Sequence, residues 1–581
     1  MDHLPTSPGR RTPRGRKRQR GVASVLAAFW LLVAVAALAA IDVGNVFYQR
    51  RVMQSVADMA ANAGAQVVDN ACSRAPATAL GSAGANGFNA SASGNSITTT
   101  CGRWDPTLYA GPSYYAANAT PSNAVQVTVS KQVPYFFLGA GRVVSATGLA
   151  QAVNVGAFTI GTTTASVDPT VITGLLNAML GTNINALQIS AAGYAGLAQA
   201  RIQVGDLVTA AGVGTVNQLL ATNVTAGQFV NLMLTALQTT QVANANLSVA
   251  LGALQAVANA NIPGSQTFAI GAVNGGTGLL QVGLADTQSA LSATISPLDA
   301  LFVAADIAQA GKSAVNVSTV LNLGVATATL QVQVIQPPVL AVGEAGKTPA
   351  GAWRTIATTA QVRAFLKVTL GALPGLPLGL GAPIVTLPVN LYVSPGTAWL
   401  SSTQCLSTEA SSNSVVGVQT GLANVCIGDA PTNLSASAPY SCAPATLVNV
   451  LGLITVQMAT SLPAVVPNAA SMTFDGIVGN ADDYQTTNSN QVGGVLYNAT
   501  TGFATQLSAQ NGLTVTVLGI KLPLGSAVGQ ILTGFVVPLL TPVFNALDTV
   551  LMPVLQLLGA QIGVSTVHDL SLTCGQSQLQ Y

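Results

Sequence analysis

Charged side chains are scarce: Lys, Arg, Asp and Glu make up 7% of the 581 residues, against about 25% in an ordinary soluble domain. Such a surface has to be built from Ser, Thr, Asn, Gln, Gly and Ala. It excludes a nucleic-acid binder, which needs a cationic face over the phosphates. The formal net charge of +2 conceals an asymmetry, because seven of the 20 basic residues fall between Arg10 and Arg20. After Arg51 there are 11 basic residues against 16 acidic, a net of −5, so the bulk of the chain has no phosphate-attracting field. Histidine is limited to His3 and His568, at opposite ends of the chain, which excludes a His-rich metal site. Glutamate is limited to Glu344 and Glu409, so paired-carboxylate catalysis would fall to scattered aspartates. The composition points away from an enzyme. No cofactor, no metal and no small-molecule substrate is expected.

Long apolar runs free of proline are also few, and one stands out. Residues 21–41, GVASVLAAFWLLVAVAALAAI, contain no charge and match the ~20 residues that carry a helix across ~30 Å of hydrocarbon. Arg10, Arg11, Arg14, Arg16, Lys17, Arg18 and Arg20 precede them, and positive charge is retained on the cytoplasmic side. The expectation is a single-pass bacterial inner-membrane protein with a cytoplasmic amino terminus and a periplasmic bulk. Ala37-Leu38-Ala39 resembles a signal cleavage site, but the run exceeds the 7–15 residues of a usual signal core. Other apolar stretches are broken by Pro374, Pro377, Pro383 and Pro388, or by Pro538, Pro542, Pro553 and Asp548. The stretch 531–558 reads as a pair of short amphipathic helices on a sheet. Beyond Ile41, Val46, Met53, Val56, Met59, Ala63 and Val67 recur at helical spacings, with Gly64 as a stop. A helix from Gly21 to about Ala65 would be roughly 65–70 Å long, half embedded and half projecting.

Arg20-Gly21, Ile41-Asp42-Val43-Gly44, Tyr48-Gln49-Arg50-Arg51 and Ala57-Asp58-Met59-Ala60-Ala61 resemble the amino-terminal segment of TadG-like proteins. These belong to the tight-adherence (Tad) system that builds Flp pili in bacteria. The stretch from Asn123 to Ser130, Val133-Pro134-Tyr135-Phe136-Phe137 and Val144-Ser145-Ala146-Thr147 are similar to the domain that follows the anchor in many of them. The resemblance implies a structural component of pilus assembly, with other envelope or pilus-assembly proteins as partners. An adhesion or binding protein sharing only the anchor is the alternative. Leu26 stands where related pseudopilins processed by prepilin peptidase carry Glu. No D-x-S-x-S run is present, and Asp286-Thr287-Gln288-Ser289 does not meet one, so a metal-dependent adhesion site is not carried over.

Cys72, Cys101, Cys405, Cys426, Cys442 and Cys574 all follow the apolar segment, an even number suited to an oxidising compartment. Pairing of sequence neighbours predicts Cys72 with Cys101, Cys405 with Cys426 and Cys442 with Cys574. Alternation predicts strands from Ala124, over 142–158, over 325–335, over 362–370 and in 385–393. Between them, stripes such as Val171, Leu175 and Met179, Phe229, Met233 and Leu237, or Leu247, Leu251 and Leu254 predict helices.

The fold class is thus α+β: an amino-terminal transmembrane and stalk helix, then a β-rich exported body with a helical insertion. An independent helical domain is the competing arrangement. At roughly one domain per ~150 residues, the divisions expected are a basic cytoplasmic tail (1–20), a transmembrane helix (21–41), a stalk helix (42–66), a TadG-like β-rich domain (67–168), a helical block (169–311) and a β-rich carboxy-terminal domain with terminal helices (312–581).

Four further features were candidates for chemistry. Asp475, Asp482 and Asp483, with Asn480 nearby, could offer weak calcium binding, but Asp475-Gly476 equally suits a β-turn. His568-Asp569 lacks a nucleophile elbow and reads as an exposed strand-end pair. Gly139-Ala140-Gly141 lacks the third glycine of a dinucleotide fingerprint and reads as a turn. The pairs Tyr114-Tyr115 and Phe136-Phe137 read as core aromatics of a half-buried sheet.

Overall fold

A computed structural model describes residues 20–137, 139–161, 169–182, 189–242, 244, 246–264, 266–272, 278–317, 322–323, 326–370, 385–406, 408–429, 442–450, 452, 454–461, 467–488, 513–521, 554–555, 557–558, 560 and 564–580. The chain divides into two compact units.

The first unit is built on one helix, Arg20–Ala65, of 46 residues, about 69 Å long at 1.5 Å per residue. Its first half is exposed, and this is the one helix among the described residues that is long and apolar enough to cross a membrane. Its second half buries Met53, Val56, Ala57, Ala60, Ala61 and Ala65. A short helix, Ala75–Ala85, starts on Pro76 and buries Ala79 and Ala83; alanine on both helices permits close packing. Strand Ala124–Val133 pairs antiparallel with 142–151, from Ala124 opposite Gln151 to Val133 opposite Arg142. Gly148 is required here, because a Cβ would stand 2.6 Å from the Ala57 carbonyl of the long helix.

The second unit joins sheets and helices around two hydrophobic core clusters. The far part of strand Arg142–Ile160 pairs antiparallel with Leu340–Gly343, which pairs parallel with Leu280–Gly283. A second sheet contains Ala326–Gln336, Gln361–Leu370, Val385–Val393, Ala445–Val450, Ile454–Met458 and Leu513–Val517 in order, with Ala423–Ile427 branching from Val385–Val393. A third contains Ile356–Thr358, Thr397–Gln404, Asn413–Gln419 and Ala469–Asp475. Alternation is visible in Gln361–Leu370, where Val362, Ala364, Leu366 and Val368 are buried.

The described α-helices of this unit that exceed one turn lie between Pro169 and Gln309. Their starts are local. Thr225 and Gln228 form a capping box ahead of Ala226–Thr239, and Ser296 caps Pro297–Gln309. Ile172, Leu175, Phe229, Met233, Leu254 and Phe302 share one core cluster with Val332, Val362 and Leu387 of the second sheet. The helices are therefore an insertion whose apolar faces complete the β body, with sheet strands supplied from both sides. Residues 522–553, which hold most of the expected carboxy-terminal helix pair, lie outside the described residues.

Candidate functional site

The site with most to say about function is where the long helix leaves its apolar stretch. The antiparallel pair 124–133 and 142–151 lies along the exposed-to-buried half of that helix, and the contacts form a ladder. Gly64 faces the Val125 side chain, and Gly148 faces Ala57. The Gln54 amide donates to the Thr147 carbonyl at 2.9 Å. Lys131 Nζ donates to Gln49 Oε1 at 3.2 Å. At the bottom, Asp42 Oδ1 accepts from the Phe136 backbone N–H at 2.7 Å and Oδ2 from the Phe137 N–H at 3.0 Å. The distances agree: 22 helical residues from Gly64 to Asp42 rise about 33 Å, and 11 extended residues from Val125 to Phe136 span about 36 Å. The described residues of the turn at the end, 134–137 and 139–141, include Gly139 at φ +108° and Gly141 at φ +83°, so Gly139-Ala140-Gly141 is the turn that was expected.

This geometry corrects the reading of the aromatic pairs. Phe136 and Phe137 are 66% and 53% exposed, because the turn extends past the last ladder pair, Val133 with Arg142. Tyr114 is exposed too, while Tyr115 sits in the short strand Tyr115–Ala117 opposite Trp104; burial pushes its hydroxyl pKa up to about 12. Asp42 is wholly buried. Sequence reasoning used it only as part of the Ile41-Asp42-Val43-Gly44 resemblance, and nothing in its neighbourhood signals a partner 94 residues away.

The disulfides tie each unit internally. Cys72 bridges Cys101 as expected. The other two differ: Cys405 bridges Cys574 and Cys426 bridges Cys442. Cys405 follows strand Thr397–Gln404 of the third sheet, whereas Cys426 lies in Ala423–Ile427 of the second. Sequence neighbours were thus separated by sheet membership. Asp429 pairs with Ala443 in an isolated bridge, which brings the backbone beside Cys442 back to Cys426. The topology residues Arg10, Arg11, Arg14, Arg16, Lys17 and Arg18 lie outside the described residues, and Arg20 opens the long helix.

Two buried polar clusters occupy the second unit. In one, the Arg103 guanidinium donates to Glu344 Oε2 at 2.7 Å, to Asp105 Oδ2 at 3.2 Å and to the Pro121 carbonyl at 3.1 Å. Arg354 approaches Asp105 at 3.8 Å; burial and the neighbouring Arg103 hold its pKa below the ordinary value. Glu344, one of two glutamates, is thereby a structural counter-charge. In the other cluster His568, expected to be exposed, is buried and stacks on Tyr484 at 3.9 Å. Its Nδ1 lies 2.7 Å from Asp299 Oδ2 and its Nε2 lies 3.1 Å from Arg201 Nη2. Arginine can only donate, so Nε2 accepts and Nδ1–H donates to Asp299. The imidazole is neutral, in keeping with a pKa lowered chiefly by burial. Both ring nitrogens are occupied, which leaves none for activating a serine.

The acidic loop divides. Asp475 accepts from the Ile477 N–H as a turn residue, while Asp483 turns inward to Gly479 N–H and Arg201; the chief effect of burial raises the Asp483 pKa. Asp482 joins neither, and no group of three metal-ligating side chains occurs among the described residues. Asp286 caps the short helix Thr287–Ser292.

Asp569, also buried rather than exposed, receives only Ser414 Oγ at 3.4 Å, and its Oδ2 has no partner. Burial, then the nearby Asp483 charge, pushes its pKa up to about 8. A raised carboxyl pKa means that the folded state holds a proton the unfolded state has released between about pH 4 and about pH 8. Stability from this group is full below about pH 4 and declines as pH rises toward 8. Asp569→Asn is therefore expected to leave the denaturation midpoint unchanged at pH 4 and to raise it at pH 8.5, narrowing the difference between the two. An unchanged gap between the midpoints would show that Asp569 is ionised in the fold.

Comparison with known families covers the amino-terminal region. Residues 21–67 match the family described as Flp pilus-assembly TadE/G-like. Residues 63–153 match the family described as Tad-like Flp pilus-assembly. No curated protein and no solved structure matches the chain. The two matched segments together contain the long helix, its apolar stretch, the Cys72–Cys101 bridge and the paired strands with their Asp42 contact. Over residues 21–153 the chain is similar to TadE/G-like proteins of Flp pilus assembly.

Proposed function

We propose that this protein is a structural component of Tad pilus assembly, anchored once in the bacterial inner membrane with its amino terminus in the cytoplasm. Its exported body makes protein–protein contacts with other pilus-assembly proteins and catalyses no reaction. The observation that carries the reading is the long helix itself: residues 22–41 are apolar and almost wholly exposed, then the same helix becomes the core of a folded unit from Met53 onward. An exposed run of that kind needs lipid around it. The three disulfides suit an oxidising compartment, and the basic run 10–20 supports the orientation. The buried polar clusters support a structural role, since Arg103 is paired with Asp105 and Glu344, and His568 with Asp299 and Arg201.

Reporter fusions test the topology. A periplasm-dependent phosphatase fused after Tyr581 is expected to be active and to sediment with membranes, and the same enzyme fused before Met1 to be inactive. Activity confined to the amino-terminal fusion would reverse the orientation. Recovery of the mature chain in the soluble periplasm would overturn the anchor. The partner assignment is tested by purification from detergent-solubilised membranes of a piliated strain, where Tad-system proteins are expected to co-elute in stoichiometric amounts. Elution of the intact protein alone, together with unaltered piliation in a deletion strain, would overturn it.

A further inference from the structure

We propose that the turn 134–141 seats Phe136 and Phe137 in the interfacial layer of the bilayer beside the long helix, so that the folded part of the first unit is held to the membrane at a second point. The inference rests on reading residues 22–41 as membrane-spanning.

Height carries the argument. Asp42 is the first residue after the apolar run, and side chains on a helix lean toward its amino terminus. Its carboxylate therefore lies over the preceding turn, level with the last apolar residues. The Phe136 and Phe137 N–H groups bonded to it at 2.7 and 3.0 Å share that level. Ala39, one turn before Asp42, is the least exposed residue of 22–41, as expected where the turn covers the helix. The polar headgroup region adds about 5–7 Å to each side of the hydrocarbon. Two phenylalanine rings exposed at the boundary of the hydrocarbon therefore have lipid as their neighbour.

The chemistry of the turn fits that neighbour. Residues 134–141 carry no charge, and cations flank them: Lys131 on one strand and Arg142 on the other. An apolar tip between basic residues places rings in the interface and ammonium or guanidinium groups among phosphates. Buried Asp42 supplies acceptors for two backbone donors that lipid could not satisfy. On the helix, Phe47 and Tyr48 are exposed about 9–10 Å beyond Ile41 and extend the aromatic rim outward from the same boundary.

The test is site-directed spin labelling of the full chain in vesicles of phosphatidylethanolamine and phosphatidylglycerol. The native cysteines are paired, so one added cysteine gives one label. Labels replace Phe136, Phe137, Val33 inside the apolar run, and Ile520, exposed in the second unit. Accessibility to oxygen, which partitions into lipid, is compared with accessibility to a water-soluble nickel chelate. The label at Val33 reports the membrane-spanning reading by itself. The expected result is an oxygen-to-nickel ratio at 136 and 137 several-fold above that at Ile520 and approaching that at Val33, with the Cys72–Cys101 bridge intact by mass. Ratios at 136 and 137 equal to that at Ile520, with Val33 still lipid-like, would overturn the inference and leave the anchor standing. Shielding of 136 and 137 from both reagents would assign the rings to a protein contact and overturn it as well. A water-like ratio at Val33 would overturn the membrane reading and the inference together.

Discussion

Replacing Cys405 and Cys574 together by serine is expected to lower the stability of the second unit by about 5 kcal/mol, against about 3 kcal/mol for the Cys426–Cys442 pair, on the loop-entropy account of cross-links. The difference follows from sequence separations of 169 and 16 residues. The longer bridge ties strand Val564–Leu579 to the end of strand Thr397–Gln404, and the polar surface offers few ion pairs to compensate. Trp399 lies on that latter strand and stacks on Trp353 at 5.4 Å, so tryptophan fluorescence in denaturant reports the region directly. The Cys405→Ser/Cys574→Ser midpoint should fall well below that of Cys426→Ser/Cys442→Ser. Equal midpoints would mean that the long loop is already restricted in the unfolded chain.

Arg103→Met should cost about 3–5 kcal/mol, the range for removing one partner of a buried ion pair. Arg103 is 1% exposed and serves two carboxylates and a carbonyl. Its loss leaves Glu344 and Asp105 with Arg354, itself 3.8 Å from Asp105, as the neighbouring cation. Adding Glu344→Gln to Arg103→Met should recover part of the loss, because the second change removes a charge stranded by the first. The measurement is a double-mutant cycle of denaturation midpoints for the single and double variants. Strictly additive losses would show that Arg103 and Glu344 do not act as a pair.

Local patterns were legible wherever one residue's neighbours in sequence are also its neighbours in space. The stripe that includes Met53, Val56 and Ala63 belongs to a helix that ends at Ala65, as Gly64 suggested, although Met59 of the same stripe is exposed. Alternation in 362–370 became a strand with its even-numbered apolar residues buried. Aromatic pairs misled because apolar character gives burial only where something lies opposite. Phe136 and Phe137 sit past the last paired residues of their strands. His568-Asp569 misled in the other direction: polar residues near a chain end suggest exposure, yet this strand runs through the core beside Arg201 and Asp299.

The amino-acid sequence by itself determined the long apolar segment, the continuous helix through it, the alternation of strands and helical stripes and the poverty of charge, since each depends on periodicity or composition within a few turns of chain. It also contained the Tad resemblance over the amino-terminal region. Tertiary structure alone decided which cysteines meet, that Asp42 holds the Phe136–Phe137 turn, and that scarce charges such as Arg103 and Glu344 lie buried together. The Cys405–Cys574 bridge, the Asp42 contacts and the Arg103–Glu344 pair join residues from 94 to 241 positions apart. Contacts at such separations follow from which strands share a sheet and how far a strand runs along a helix, and no local pattern encodes either.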